Sequence, residues 1–263
     1  MFALEHIHFG TFKTRNLGYQ VVRKAKFIIW KGHIESKLMI ERYLEVLERH
    51  LVVADLKKEI SMVMGIWLLW ALVLTSLVFI VGDVGLAASF QSLIKISVVK
   101  KILAVFTDYA LYPFYFIFVC LIGVGFYKNI ESFRALAWRY FIAQLIGSIV
   151  VVRLLKMLVA RGRPSSEFPS IYIGDFTQLY VDASLHSFPS GHAADVWTGA
   201  TILFVVAKQV SVKFSLILVA ILVSLSRVAL GAHYPIDILV GSLIGLLTGS
   251  LCLVISPTSS NKI

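Results

Sequence analysis

The sequence predicts an all-α, polytopic membrane protein: a bundle of six crossing helices preceded by a basic, amphipathic helical segment. The composition is 58% hydrophobic and 15% charged over 263 residues, and the mean hydropathy is +0.84. A soluble domain of that size carries far more charge. Apolar stretches of membrane-crossing length recur along the chain, and lysine and arginine are unevenly divided between the two sides that those crossings define.

A helix needs about 20 mainly apolar residues to cross the hydrocarbon. The charge-free run at 60–82 meets that requirement, as does 109–127. Four further stretches, 136–159, 189–207, 214–230 and 234–255, are apolar with polar residues near one end. The first 20 residues hold no uninterrupted apolar core followed by a small-residue cleavage pattern, so no removable signal peptide is expected. Cys120 and Cys252 both fall inside expected crossings, where packing is their natural role.

Six crossings place both termini on one side. That side carries 17 of the 25 lysines and arginines, and the other carries eight. By the positive-inside rule the termini are cytoplasmic, in the inner membrane of the cell. Residues 1–60 form a basic segment of 11 lysines and arginines against seven acids, and 61–263 form the membrane domain. Ile40, Leu44, Leu47 and Leu51 have helical spacing. Bases interleave with aromatic and aliphatic residues at 19–31, a pattern that suits an anionic lipid surface. The segment 83–108 reads as one short interfacial helix without chemistry. Gly241, Gly245 and Gly249 recur every four residues, which permits close approach of another helix.

Ionisable residues within crossings are costly, at least about 2.5 kcal/mol at the centre, so each needs a reason. Their positions supply one. The third crossing runs outward and ends near Lys156, Arg161 and Arg163, and the fourth starts on that side with Ser190, Gly191, His192 and Asp195. The fifth ends there with Arg227, and the sixth starts there with His233 and Asp237. All of these groups fall at one membrane face, whichever way up the bundle sits.

Lys156, Arg163 and Arg227 together make an anion site, since arginine grips phosphate through paired hydrogen bonds and lysine adds a mobile charge. Arg153 and Arg161 read instead as side chains snorkelling to the interface. Ser190 is placed to cap the fourth crossing and Gly191 removes side-chain bulk, leaving free backbone N–H groups at a helix start where phosphate binds well. His233 and Asp237 are four residues apart, so the carboxylate is expected to share the helix face of the ring and hold one tautomer. A neutral oriented imidazole is a nucleophile, and a second histidine can act as acid and base. Spacing leaves open which of His233 and His192 does which, because Asp195 lies three residues after His192.

KMLVARGRP at 156–164, PSGH at 189–192 and SRVALGAHYPID at 226–237 together resemble the three-part signature of the type 2 phosphatidic acid phosphatase (PAP2) superfamily. The resemblance implies that His233 is the nucleophile, Asp237 its partner and His192 the general acid. It also implies that Lys156, Arg163, Ser190, Gly191 and Arg227 hold the phosphoryl oxygens, that no metal or cofactor is used, and that the site is extracytoplasmic. Two isolated aspartates are in any case too few for a two-metal centre. The implied activity is metal-independent hydrolysis of a phosphate monoester or diphosphate on a membrane lipid through phosphohistidine. Phosphatidate, phosphatidylglycerol phosphate, a prenyl diphosphate or a lipid A type molecule would each fit.

The expected partners are that lipid and the bilayer, not nucleic acid. Transfer to a second lipid would use the same residues, and a non-catalytic transporter or scaffold would need the cations without the histidines. Asp195 lies outside the family pattern and reads as neutralising a nearby arginine. The loop 165–187, with Tyr172, Phe176, Tyr180 and His186, is expected near the head group, His186 as a loop residue.

Overall fold

The computed structural model describes residues 34–167, 169–171 and 183–255, with side chains from residue 55 onward. The chain divides into two compact units, Met1–Lys57 and Lys58–Ile263. Within the first, the described residues are helical from Ile34. The anionic-surface stretch at 19–31, and the loop residues Tyr172, Phe176 and Tyr180, lie outside the described residues.

All described regular structure is helical. The helices are α1 (Ile34–Val81), α2 (Asp83–Ser92), α3 (Ser97–Tyr109), α4 (Tyr112–Tyr127), α5 (Glu131–Gln144), α6 (Val152–Val159), α7 (Gly191–Val206), α8 (Val210–Ala229) and α9 (Pro235–Ile255). A π-helical segment, Leu145–Val151, joins α5 to α6. Five stretches are long and apolar enough to cross a membrane: Asp55–Val81, Ser97–Tyr127, Glu131–Val159, Val210–Ala229 and Pro235–Ile255. The expected fourth crossing is α7, which has only 16 residues. The protein is an integral membrane protein built as a helical bundle; among the described residues, five helices are long and apolar enough to cross and one apolar helix is shorter.

Lipid exposure explains the surface. On α1, Val63, Trp67, Ala71 and Leu74 are buried along one stripe, while Leu68, Leu69, Leu72 and Phe79 are exposed. In water such a face would drive association; in hydrocarbon it is simply solvated. Two buried indoles are paired: the N–H of Trp67 donates to Ser242 at 2.9 Å, and that of Trp197 to Ser224 at 3.3 Å.

The expectation of one interfacial helix at 83–108 is corrected. Two helices occupy it, α2 and α3, and α3 continues past a short break into α4. Ser89 and Ser92 donate their hydroxyls to the carbonyls of Gly85 and Ser89 at the end of α2. Such local bonds compete with continued helix. At the second break, Pro113 sits in the first turn of α4, a position where proline starts a helix.

Helix α7 is the centre of the bundle, with ten of its residues buried. Its closest neighbour is α9. A Cβ on Gly241 would lie 2.3 Å from the carbonyl oxygen of Ser190, and one on Gly245 would lie 2.3 Å from that of Ala194. Glycine is required at both, and the four-residue spacing does serve packing. This approach brings the start of α9 against the start of α7.

Candidate active site

The start of α7 is capped as its sequence suggests. Ser190 has extended backbone, φ −73° and ψ 116°, and its hydroxyl accepts the N–H of Ala193 at 3.4 Å. Its own N–H donates to the carbonyl of Asp237 at 2.9 Å, tying the α7 start to α9. Gly191 opens the helix and His192 follows, so the free N–H groups of the first turn point out of the helix end.

Helix α6 ends at Ala160, whose φ of 47° is left-handed. The chain then runs extended beside 183–187: the N–H of Arg163 donates to Ser184 at 2.8 Å, and that of Ser187 to Arg161 at 2.9 Å. Lys156 donates from Nζ to the carbonyl of His186 at 2.6 Å. Arg227, in the last turn of α8, lies 3.7 Å from Asp108. The Nε atoms of Arg163 and Arg227 are buried without a hydrogen-bond partner. Buried donors of that kind call for an acceptor, and a phosphoryl oxygen is one. Lys156, Arg163, Arg227 and His233 all act electrostatically on His192, so the five groups share one site.

Asp237 does not hold His233 in the expected way. Its Oδ2 is 3.9 Å from Nδ1 of the ring, beyond hydrogen-bond reach. Nδ1 instead lies 2.6 Å from the carbonyl oxygen of Ser187. A carbonyl only accepts, so Nδ1 carries the hydrogen and the lone pair is on Nε2. The physical reason is local: α9 begins at Pro235, so His233 precedes the helix and the i, i+4 rule does not apply to the pair. Asp237 acts on the ring through Ser187, whose hydroxyl donates to its Oδ2 at 2.5 Å.

The remaining bonds of Asp237 correct a second expectation. Arg161 is not a snorkelling side chain: it is 4% exposed, and its Nη1 donates to Asp237 Oδ1 at 2.7 Å. Its Nη2 donates to Asp83 Oδ2 at 2.7 Å, and the guanidinium lies 3.9 Å from the Tyr234 ring centre. Asp83 also accepts the N–H of Ile236 at 3.0 Å with its other oxygen, and Asp237 Oδ2 accepts that of Tyr234 at 2.8 Å. A buried arginine between two carboxylates completes a chain from α2 to the histidine.

Burial of His233 pushes its pKa down to about 4, helped by the positive charges of Lys156 and Arg227 and opposed by Asp237. The ring is neutral at physiological pH. Among the described residues, no three His, Cys, Asp or Glu side chains gather as a metal-ligand set.

Every cationic, capping and histidine position named from the sequence therefore lies in this cluster. Arg161, Asp83 and Ser187 were missed. Asp83 had a signal, being the one acid between Glu59 and Asp108, and Arg161 had no local one. Ser187 had none. Asp195 is corrected as well: among the described residues it forms no ion pair with an arginine, and its side chain meets Tyr115 OH at 3.4 Å.

The whole cationic and histidine cluster falls inside residues 136–260, which match the family model of the PAP2 superfamily. The match to that family covers 125 of the chain's 263 residues. Among curated relatives, a lipid A 1-phosphatase of Rhizobium etli is 30% identical over 131 residues, covering 47% of this chain and 55% of the relative. An undecaprenyl-diphosphatase of Sulfolobus acidocaldarius is 33% identical over 115 residues, covering 44% and 53%. The chain thus spans about half the length of the curated relatives it matches. A solved PAP2-type phosphatidylglycerolphosphate phosphatase of Bacillus subtilis is 23% identical, with a TM-score of 0.48, covering 71% of this chain and 92% of that one. Asp83, Tyr115 and Asp108 lie outside the matched PAP2 segment.

Proposed function

We propose that the protein hydrolyses the phosphate monoester or diphosphate of a membrane lipid through a phosphohistidine intermediate. The observation that carries this reading is the held tautomer of His233, with Nε2 unprotonated and the positive charges of Lys156 and Arg227 acting on the ring. Nε2 attacks phosphorus, the P–O bond to the lipid breaks, and His192 gives its proton to the departing oxygen. Water then attacks the phosphohistidine, His192 takes a proton from it, and phosphate leaves with Nε2 restored. The carbonyl of Ser187 and the carboxylate of Asp237 stabilise the positive charge that the ring acquires. Lys156, Arg163, Arg227, Ser190 and the N–H of Gly191 hold the phosphoryl oxygens as charge shifts during transfer.

The names of the relatives, which are lipid phosphatases, support the substrate class. The lysine and arginine tally supports cytoplasmic termini and an extracytoplasmic site, with 1–60 resting on anionic headgroups. The test is phosphate release by the purified protein from a panel of lipid phosphates in mixed micelles, with and without a chelator. His233→Ala should fold and release nothing, and acid-stable quench of the wild type on labelled lipid should show no aspartyl phosphate. Full phosphate release by His233→Ala would overturn the mechanism.

A further inference from the structure

Beside the phosphate ligands lies a cavity of about 330 Å³. Lys156, Arg163 and Gly191 line it together with Ser148, Arg153 and Asp195. One water takes up about 30 Å³ of liquid, and small-molecule sites begin near 300 Å³. The space therefore holds more than a phosphoryl group. Six of its nine lining residues are polar or charged, beside Val152, Met157 and Gly191.

Asp195 decides what the space would accept. A carboxylate only accepts hydrogen bonds and has about four sites for them. Its side chain accepts from Tyr115 OH at a long 3.4 Å. The hydroxyl of Ser148 donates to Gln144 Oε1 at 3.0 Å, so its hydrogen is already engaged. Gln144 in turn donates to the backbone carbonyl of Asp195 at 3.1 Å and to Tyr140 OH at 2.9 Å, fixing the wall. A fixed carboxylate with spare acceptor capacity repels a second phosphate and attracts hydroxyl groups. Arg153, which also lines the cavity, offers donors to hydroxyl or carbonyl oxygens.

We infer that this cavity is a headgroup subsite for a hydroxyl-bearing portion, a sugar or polyol, of the phosphorylated lipid. The inference rests on the proposed hydrolase reading and narrows its substrate. It separates phosphorylated glycolipids and phosphatidylglycerol phosphate from phosphatidate and prenyl diphosphates, whose headgroups bring no hydroxyl to Asp195.

The experiment measures kcat/KM for phosphate release from those four lipids in one detergent, using wild type, Asp195→Asn and Asp195→Ala. The two hydroxylated lipids should be preferred by at least about tenfold in the wild type, because a site built to bond hydroxyls rejects analogues without them. Both variants should bring that preference to within about threefold. As a second readout, a soluble sugar phosphate should inhibit wild type more strongly than inorganic phosphate does, with the gap closed in Asp195→Ala. Wild-type activity without preference overturns the subsite alone, as does a variant that slows all four lipids by the same factor. A wild type inert on all four overturns the hydrolase reading and the subsite with it.

Discussion

Arg161 and Asp237, 76 residues apart in sequence, meet at 2.7 Å inside the protein, and the other terminal nitrogen of Arg161 is bound to Asp83. Removing one partner of a buried ion pair typically costs about 3–5 kcal/mol, because the other charge is left without compensation. Arg161→Ala should therefore lower the thermal midpoint in detergent and abolish turnover. Arg161→Lys keeps the charge but cannot bridge two carboxylates with separate nitrogens. It should fold and lose roughly tenfold or more in kcat. Normal kcat in the lysine variant would show that the fork is unnecessary.

Asp83→Asn tests the far end of the same chain. Asparagine still accepts the N–H of Ile236 and loses only the charge facing Arg161. A fall in kcat of about tenfold with KM nearly unchanged is expected, the sign of an interaction that matters in the transition state. If capping α9 were the whole role of Asp83, the asparagine variant would match wild type while Asp83→Ala would not.

Ser187 acts through two atoms, and one of them survives mutation. Ser187→Ala retains the carbonyl that binds His233 Nδ1 and loses the hydroxyl that binds Asp237. The loss of one buried hydrogen bond to a charged group costs about 1.5–3 kcal/mol. The rate should fall by roughly 10- to 100-fold, less than for Asp237→Ala and much less than for His233→Ala. Single-turnover rates of the three variants give the ranking directly.

The pH dependence follows from the depressed pKa of His233. Its folded value of about 4 lies below the ordinary 6.5, so the ring stays neutral and nucleophilic as pH falls through 6. The acid limb of kcat/KM that belongs to the nucleophile should sit near pH 4. Stability behaves differently. Between about 6.5 and 4 the unfolded ring binds a proton that the folded ring does not, so stability is lost as pH falls through that window. Thermal midpoints from pH 7 to pH 4.5 check the sign.

Gly245→Ala should destabilise the protein and slow it, because the new methyl would meet the Ala194 carbonyl at 2.3 Å and the Thr198 nitrogen at 2.9 Å. Helices α7 and α9 must separate, and Asp237 travels with α9. Gly65→Ala is the control, since nothing lies within 4 Å of that position. Equal thermal midpoints in the two variants would contradict the packing argument.

The helical class and five of the six expected crossings were legible because hydrocarbon imposes a length and a composition on each crossing. The face shared by Lys156, Arg163, His192, Arg227 and His233 was legible because a crossing chain alternates direction. What was hidden depended on tertiary distance. Nothing local tells that Arg161 turns inward while Arg153, one crossing end away, stays exposed. The link from Asp237 to His233 was misread because a helical rule was applied to a residue lying before the helix. The Ser187 carbonyl, a backbone atom, has no signature in side-chain identity at all.

The shortness of α7 bears on where chemistry takes place. Its 16 residues span about 24 Å at 1.5 Å per residue, against a hydrocarbon layer of about 30 Å. The helix whose capped end is proposed to receive the phosphate is thus shorter than that layer by about 6 Å. If that deficit falls at the capped end, a lipid delivers its phosphate by a small downward displacement of its headgroup, and its tail never has to leave the bilayer.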